Sequence, residues 1–318
     1  MTEPVLVELV RSGVVESVHR ASVLAVRADG TDALALGEVD RPVFPRSANK
    51  PLQAVGLLEA GWEPPDEQAL ALATASHSGE PEHLAVVRRT LAAAGLDDSD
   101  LGCPPGLPLS EPAAHALLRS GGAASRLTMN CSGKHAAMLA TCVARGWPTS
   151  DYLDPQAAVQ RAVTGTLERL AGEPVAHVAV DGCGAPQHAL TLRGLTVAFS
   201  ALVTGDGACR RTAAAMTARP DLVGGTDREV SDLMAGVPGL VAKDGAEGVF
   251  AAALPDGSAV AVKVADGATR AAVPVLVAGL RALGVTGEVL DRLAATPVLG
   301  GGVPVGVLRP AAALQTAG

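Results

Sequence analysis

The chain is poor in aromatic side chains. Trp62, Trp147, Tyr152, Phe44, Phe199 and Phe250 are all that its 318 residues contain, 2% of the total. So few rings offer no platform on which bases could stack, and the core must be built from Ala, Val and Leu. Basic residues are in deficit as well, with 25 Lys and Arg against 33 Asp and Glu and a formal charge of −8. An acidic chain of this kind lacks the electrostatic footprint of a nucleic-acid binder. The most apolar stretch, residues 273–283, is interrupted by Pro274, Gly279 and Arg281 and falls short of the roughly 20 residues of a membrane span. The first residues do not read as a secretory leader, because Glu3, Pro4, Glu8 and Arg11 break any apolar core. Without a leader, Cys103, Cys131, Cys142, Cys183 and Cys209 are expected as reduced thiols and not as a disulfide framework. These absences predict a cytoplasmic protein without nucleic-acid or membrane partners, acting on something small.

What is present is ample apolar surface. Hydrophobic residues make up 48% and charged residues 18%, with mean hydropathy +0.29, enough burial to offset chain entropy and exclude disorder. Residues 5–10, 14–19, 22–26 and 33–39 read as strands joined by turns at Ser12-Gly13 and Asp29-Gly30-Thr31. Such short connections make neighbours antiparallel. From Lys50 the period becomes helical over residues 51–60, 82–94, 112–120, 135–145 and 155–171, each followed by a glycine suited to a left-handed C-cap. Strand character returns at 175–180 and 196–199, then a helix at 208–219. A hairpin over 249–254 and 259–264 turns on Pro255-Asp256-Gly257-Ser258, a helix covers 273–283, and residues 297–309 offer one more strand. The order predicts one α+β domain over 1–318: an antiparallel sheet of N- and C-terminal strands with a helical insertion between them.

Four segments concentrate chemistry. Ser47-Ala-Asn-Lys50 places a serine and a lysine three residues apart at a predicted helix start. There the dipole favours an alkoxide and disfavours an ammonium, as a nucleophile–base pair requires. S-x-x-K is also the nucleophile motif of serine β-lactamases and penicillin-binding proteins. Pro51 discourages helical geometry at Lys50. The second segment, Ser76-His77-Ser78-Gly79-Glu80 with His83, precedes another helix, where one serine is expected as the cap. Third, Asn130-Cys131-Ser132-Gly133-Lys134-His135 sets a thiol, an amine and an imidazole at i, i+3 and i+4. It is not a phosphate loop, since Thr128 and His135 stand where that motif needs Gly and Ser or Thr. Last, Asp181-Gly182-Cys183-Gly184 follows a strand, and Cys131 with Cys183 can hold a soft cation such as zinc. Lys243-Asp-Gly and Lys263-Val-Ala-Asp-Gly resemble the K-T-G element of the penicillin-recognising enzymes.

Taken in order, these segments resemble the rhizobial-type L-asparaginase II family, and the likeness covers nearly the whole chain. The resemblance implies a serine-β-lactamase-like fold, a homodimer, and hydrolysis of L-asparagine to aspartate and ammonia. It implies two Ser–Lys pairs, Ser47 with Lys50 and Ser76 with Lys243; Ser78 and Lys263 are the alternatives in the second pair. Cys131, Lys134 and Cys183 would hold zinc in a substrate-positioning role, with Arg46, His135 and Asp181 beside the substrate. A glutaminase or β-lactam hydrolase on the same scaffold, or a zinc-dependent amide binder without turnover, are the alternative functions.

Overall fold

The computed structural model describes residues 3–315. Its strands are β1 (Val5–Arg11), β2 (Val14–Val26), β3 (Asp32–Leu36), β4 (Pro42–Val43), β5 (His177–Val180), β6 (Pro186–Thr191), β7 (Val241–Gly245), β8 (Val249–Ala253), β9 (Ala259–Val264), β10 (Thr296–Gly300) and β11 (Val303–Pro310). Eight of them form one sheet in the order β10-β11-β1-β2-β9-β8-β7, with β3 also paired to β2. N- and C-terminal strands therefore share a sheet, with helices inserted between them, the mixed α+β arrangement that the order of elements predicts. The pairings are antiparallel, for example Leu9 opposite Leu308 and Leu24 opposite Ala261. The two N-terminal runs at 14–19 and 22–26 fuse into the single strand β2. One half of it pairs with β1 and the other with β9 and β3, so neither half needs a turn to satisfy its backbone.

Every residue of β8 is buried, and all of β9 but Lys263. Helices Leu192–Thr204 and Thr269–Ala282 contact these strands and cover them. The strand expected at 196–199 belongs instead to the first of these helices. Thr191 caps it by accepting from Gly194 N–H at 2.8 Å, and Leu195, Ala198, Phe199 and Leu202 form its buried stripe. A helical stripe satisfies a β-branched and aromatic run as well as a strand does, and tertiary burial overrides local propensity. The segment before it supplies a strand the sequence reading missed: β6, which lies between β4 and β5 in a small second sheet. The C-terminal end forms two strands where one was expected, because Gly301 and Gly302 turn at φ 58° and 84°. Helices Ser132–Arg145 and Ala158–Ala171 end as predicted, on left-handed Gly146 and Gly172. Among the described residues, no helix is long and apolar enough to cross a membrane.

Candidate active site

The first predicted helix begins as a tight 3₁₀ turn, Arg46–Asn49, and continues as the α-helix Lys50–Glu59. Arg46 is left-handed, at φ 54°. Such a conformation costs a non-glycine residue energy and is found where surrounding contacts enforce it. Lys50 is helical (φ −58°, ψ −38°) despite Pro51, because the proline falls in the first turn, where its missing N–H is not needed. The turn rests on β7. A Cβ on Gly245 would lie 2.5 Å from Pro45 O and 3.2 Å from Ala48 N, so the glycine of Lys243-Asp-Gly lets strand and turn backbones touch.

Lys50 is 1% exposed. Its Nζ donates to Ala75 O at 2.6 Å, to Ser76 Oγ at 3.0 Å and to Cys131 Sγ at 3.1 Å. The structure thus pairs Lys50 with Ser76 and not with Ser47. A buried amine goes where desolvated acceptors are, and a spacing of three residues does not supply them. Ser47 is half-buried, and among the described residues no side-chain hydrogen bond engages its Oγ. Nor does Lys243 reach Ser76. Its Nζ curls back to Asp244, donating to the backbone O at 2.9 Å and to the carboxylate. Burial, opposed by Asp244 and aided by nearby Lys50, lowers this amine to about 8. Of the alternatives, Ser78 donates to Gly224 O at 2.9 Å and Lys263 to Glu247 O at 2.5 Å and Val264 O at 2.6 Å. Both side chains are thus spent on backbone carbonyls.

The segment around Ser76 is stitched down on both sides, with Ser76 N bonded to Val223 O and His77 N to Asn130 O. No serine caps the following helix. Glu80 does so, in a reciprocal box with His83, because its longer carboxylate also reaches Thr226. His77 sits 2.8 Å from Ser132 Oγ and stacks on His83 with centroids 5.3 Å apart. The two serines and two histidines are thus shared between lysine contact, backbone anchoring and capping.

Helix Ser132–Arg145 starts from Cys131, and the β5–β6 hairpin loop carries Asp181 and Cys183 to meet it. Cys131 Sγ donates to Asn130 Oδ1 at 3.1 Å with Cys183 beside it, and Lys134 Nζ lies 3.2 Å from Cys183 Sγ. Interaction with Cys131, then with Lys134 and His135, holds the Cys183 thiol far below its usual range. The same contact with Cys183, together with burial, pushes Cys131 well up. Burial opposes the charge of Lys134, but Cys183, Cys131 and Asp181 prevail and raise it to about 12. Arg46 Nε donates to Asp181 Oδ1 at 2.8 Å, closing the cluster toward the turn. His135 Nδ1 meets Tyr152 Oη at 2.6 Å, and Gly102 N–H donates to the same oxygen at 2.7 Å. Burial lowers His135. Its Nε2 is buried beside Cys183 without a hydrogen bond of good geometry.

Two sulfurs in contact with each other and with a buried amine form a donor set that suits a soft divalent cation. Among the described residues no three His, Cys, Asp or Glu side chains gather as a metal site, so such a cation would need Lys134 as its third ligand. Sequence reasoning missed three contributors: Tyr152, and the linked pair Arg228 and Asp244, whose side chains meet at 2.7 Å. One signal was available for the first, since Tyr152 is the sole tyrosine. Another signal marks the site as a whole. The sequence holds only four lysines, Lys50, Lys134, Lys243 and Lys263, and three of them are at most 2% exposed.

No individual curated protein matches the chain. The family model of L-asparaginase II matches residues 7–310, from β1 through β11 and therefore across every segment described above. The chain belongs to the L-asparaginase II family and is an amidohydrolase.

Proposed function

We propose that the chain hydrolyses the side-chain amide of L-asparagine to aspartate and ammonia through an ester on Ser47. The observation that carries this reading is the placement of Lys50 Nζ, buried and shared between Ser76 Oγ and Cys131 Sγ. That one amine joins the serine side of the site to the thiol side. Ser47 Oγ, free of side-chain partners and one tight turn from Lys50, attacks the amide carbon, and its proton passes to Lys50. Ser76, in contact with that amine, hands a proton to the departing nitrogen, which leaves as ammonia. Water then cleaves the β-aspartyl ester by the same route in reverse. N–H groups at the head of the 3₁₀ turn have no carbonyl one turn earlier to bind. Donors of this kind stabilise a tetrahedral oxyanion by about 3 kcal/mol each. Lys243, lowered to about 8 by burial with Lys50 nearby, is the base that resets Lys50 to the neutral amine from which each cycle starts. Arg46 and Asp181 face each other as an ion pair, complementary to the α-carboxylate and α-ammonium of an amino-acid substrate. A zinc ion held by Cys131, Cys183 and Lys134 would supply a fixed positive charge that orients the substrate, taking the place of the proton on Lys134.

The test measures ammonia from asparagine and glutamine beside hydrolysis of a chromogenic β-lactam. Asparagine is expected to give the highest kcat/KM, with Ser47→Ala below a hundredth of wild-type turnover and an unchanged far-UV spectrum. Hydroxylamine should intercept the ester as β-aspartyl hydroxamate. If Ser47→Ala keeps more than about a tenth of its turnover, Ser47 is a turn residue and the nucleophile lies elsewhere. Preference for glutamine or the β-lactam would replace the substrate while leaving the relay in place.

A further inference from the structure

Behind Lys243 lies an arrangement the relay does not use. Asp244 is shared: its Oδ1 takes Lys243 Nζ, and its Oδ2 takes Arg228 Nη2 at 2.7 Å. Arg228 stands at the N-cap position of helix Glu229–Gly236, an element that packs on β7. Its guanidinium is 23% exposed, on the wall between cavities of about 490 and 340 Å³. Lys243 itself is wholly buried. The charges that face it are few. Asp244 comes from its own strand, Arg228 from the start of the helix, and Lys50 from beyond the Arg46–Asn49 turn. Ala251, its partner across β8, brings none. Glu229 and Arg270 line the smaller cavity with Asp244, while Arg270 is turned toward His19. Among the described residues, Asp244 is therefore the only anion in contact with Lys243, and Arg228 holds half of it.

We propose that Arg228 is a positioning residue for the reaction: by holding Asp244 Oδ2 it fixes the other oxygen against Lys243 Nζ and keeps that carboxylate from serving Lys243 alone. The physical reason is competition. A carboxylate whose charge is divided between two cations stabilises each ammonium less than one it serves alone. A second effect has the same sign, because the guanidinium charge itself disfavours a proton on the neighbouring amine. Both effects keep Lys243 able to lose its proton near neutrality. Removing Arg228 gives Asp244 wholly to Lys243 and removes the repulsion, so the amine holds its proton to higher pH.

The inference builds on the assignment of Lys243 as a base, but it can be read without turnover. With four lysines in the sequence, a protein labelled with [13C]lysine shows four side-chain Cε signals, and Lys243→Arg identifies the one that matters. Titrating the full chain from pH 6 to 11, we expect the Lys243 midpoint to rise by about one unit in Arg228→Met. In Arg228→Lys, which restores a cation at the position, it should return most of the way. A midpoint that stays in place, or falls, in a folded Arg228→Met overturns the proposal, as does an equal rise in Arg228→Lys. Should Arg228→Met fail to fold, Arg228→Gln carries the same expectation. The acidic limb of kcat/KM for asparagine is measured on the same proteins and should move with the signal. If the signal moves and the limb does not, Arg228 still governs Lys243, and it is the role of Lys243 as a base that fails.

Discussion

At the scale of single residues, the site is governed by where charge can be buried. Lys243 is lowered from 10.5 to about 8, chiefly by burial. Above pH 8 it is a neutral amine, so kcat/KM is expected to rise through a limb near pH 8 that Lys243→Met removes. The same shift has a signature in stability. Between pH 8 and 10.5 the unfolded chain keeps a proton on this lysine that the folded chain has lost, so its contribution to stability rises with pH across that window. Below pH 8 both states are protonated and the cost of the buried charge is felt in full. Urea unfolding should therefore show wild type gaining roughly 2–3 kcal/mol on Lys243→Met between pH 7 and 10.5. A difference that stays constant with pH would mean that Lys243 titrates like an ordinary lysine.

At the scale of elements, the decisive contact is between β7 and the Arg46–Asn49 turn. Nothing in Lys243-Asp-Gly announces that its glycine serves this contact, since a glycine at a strand end reads equally well as a turn residue. With a Cβ on Gly245 only 2.5 Å from Pro45 O, both backbones must separate by about an ångström, and neither neighbour is a side chain that can swing away. Gly245→Ala should therefore shift Ser47 relative to Ser76 and Lys50. Displacements of that size cost up to about 10²-fold in rate when they misalign reacting groups. The expected result is a kcat lowered by 10- to 100-fold, with the thermal midpoint falling by only a few degrees. A variant that loses stability but keeps kcat would show that the contact serves folding alone. The helix stops were far easier to read, because a left-handed glycine leaves its mark in the sequence at the place where it acts.

At the scale of the whole molecule, the thiols tie distant parts together. Cys131 starts a helix of the inserted region and Cys183 sits in the hairpin of the small sheet. A cation held by both, with Lys134, would be bound only by the folded chain and would stabilise it by mass action. At a hundredfold excess over Kd the gain is about 2.7 kcal/mol. Adding zinc to chelator-treated protein is thus expected to raise the thermal midpoint by about 4 °C, with about one zinc retained per chain by elemental analysis. Cys183→Ser should abolish both the rise and the retention, and raise KM more than it lowers kcat. If wild type shows no rise and retains no zinc, the sulfur–lysine cluster is a buried ion pair and nothing more.

The sequence by itself determined the broad order of strands and helices, the glycine stops, and the sharing of one sheet by the two ends of the chain, whereas the residues expected at the site came from its resemblance to a known family. The first three follow from periodicity and turn chemistry, which act locally along the chain. Tertiary structure decided the partnerships. Lys50 meets Ser76 instead of Ser47, Lys243 meets an Asp244 that Arg228 shares, and Glu80 takes the cap that a serine was expected to fill. Spacing fixes only which side chains lie on the same turn. A buried amine or carboxylate must instead be satisfied by whatever polar groups the packed interior brings within 3 Å, and those come from segments 26, 81 or 16 residues away.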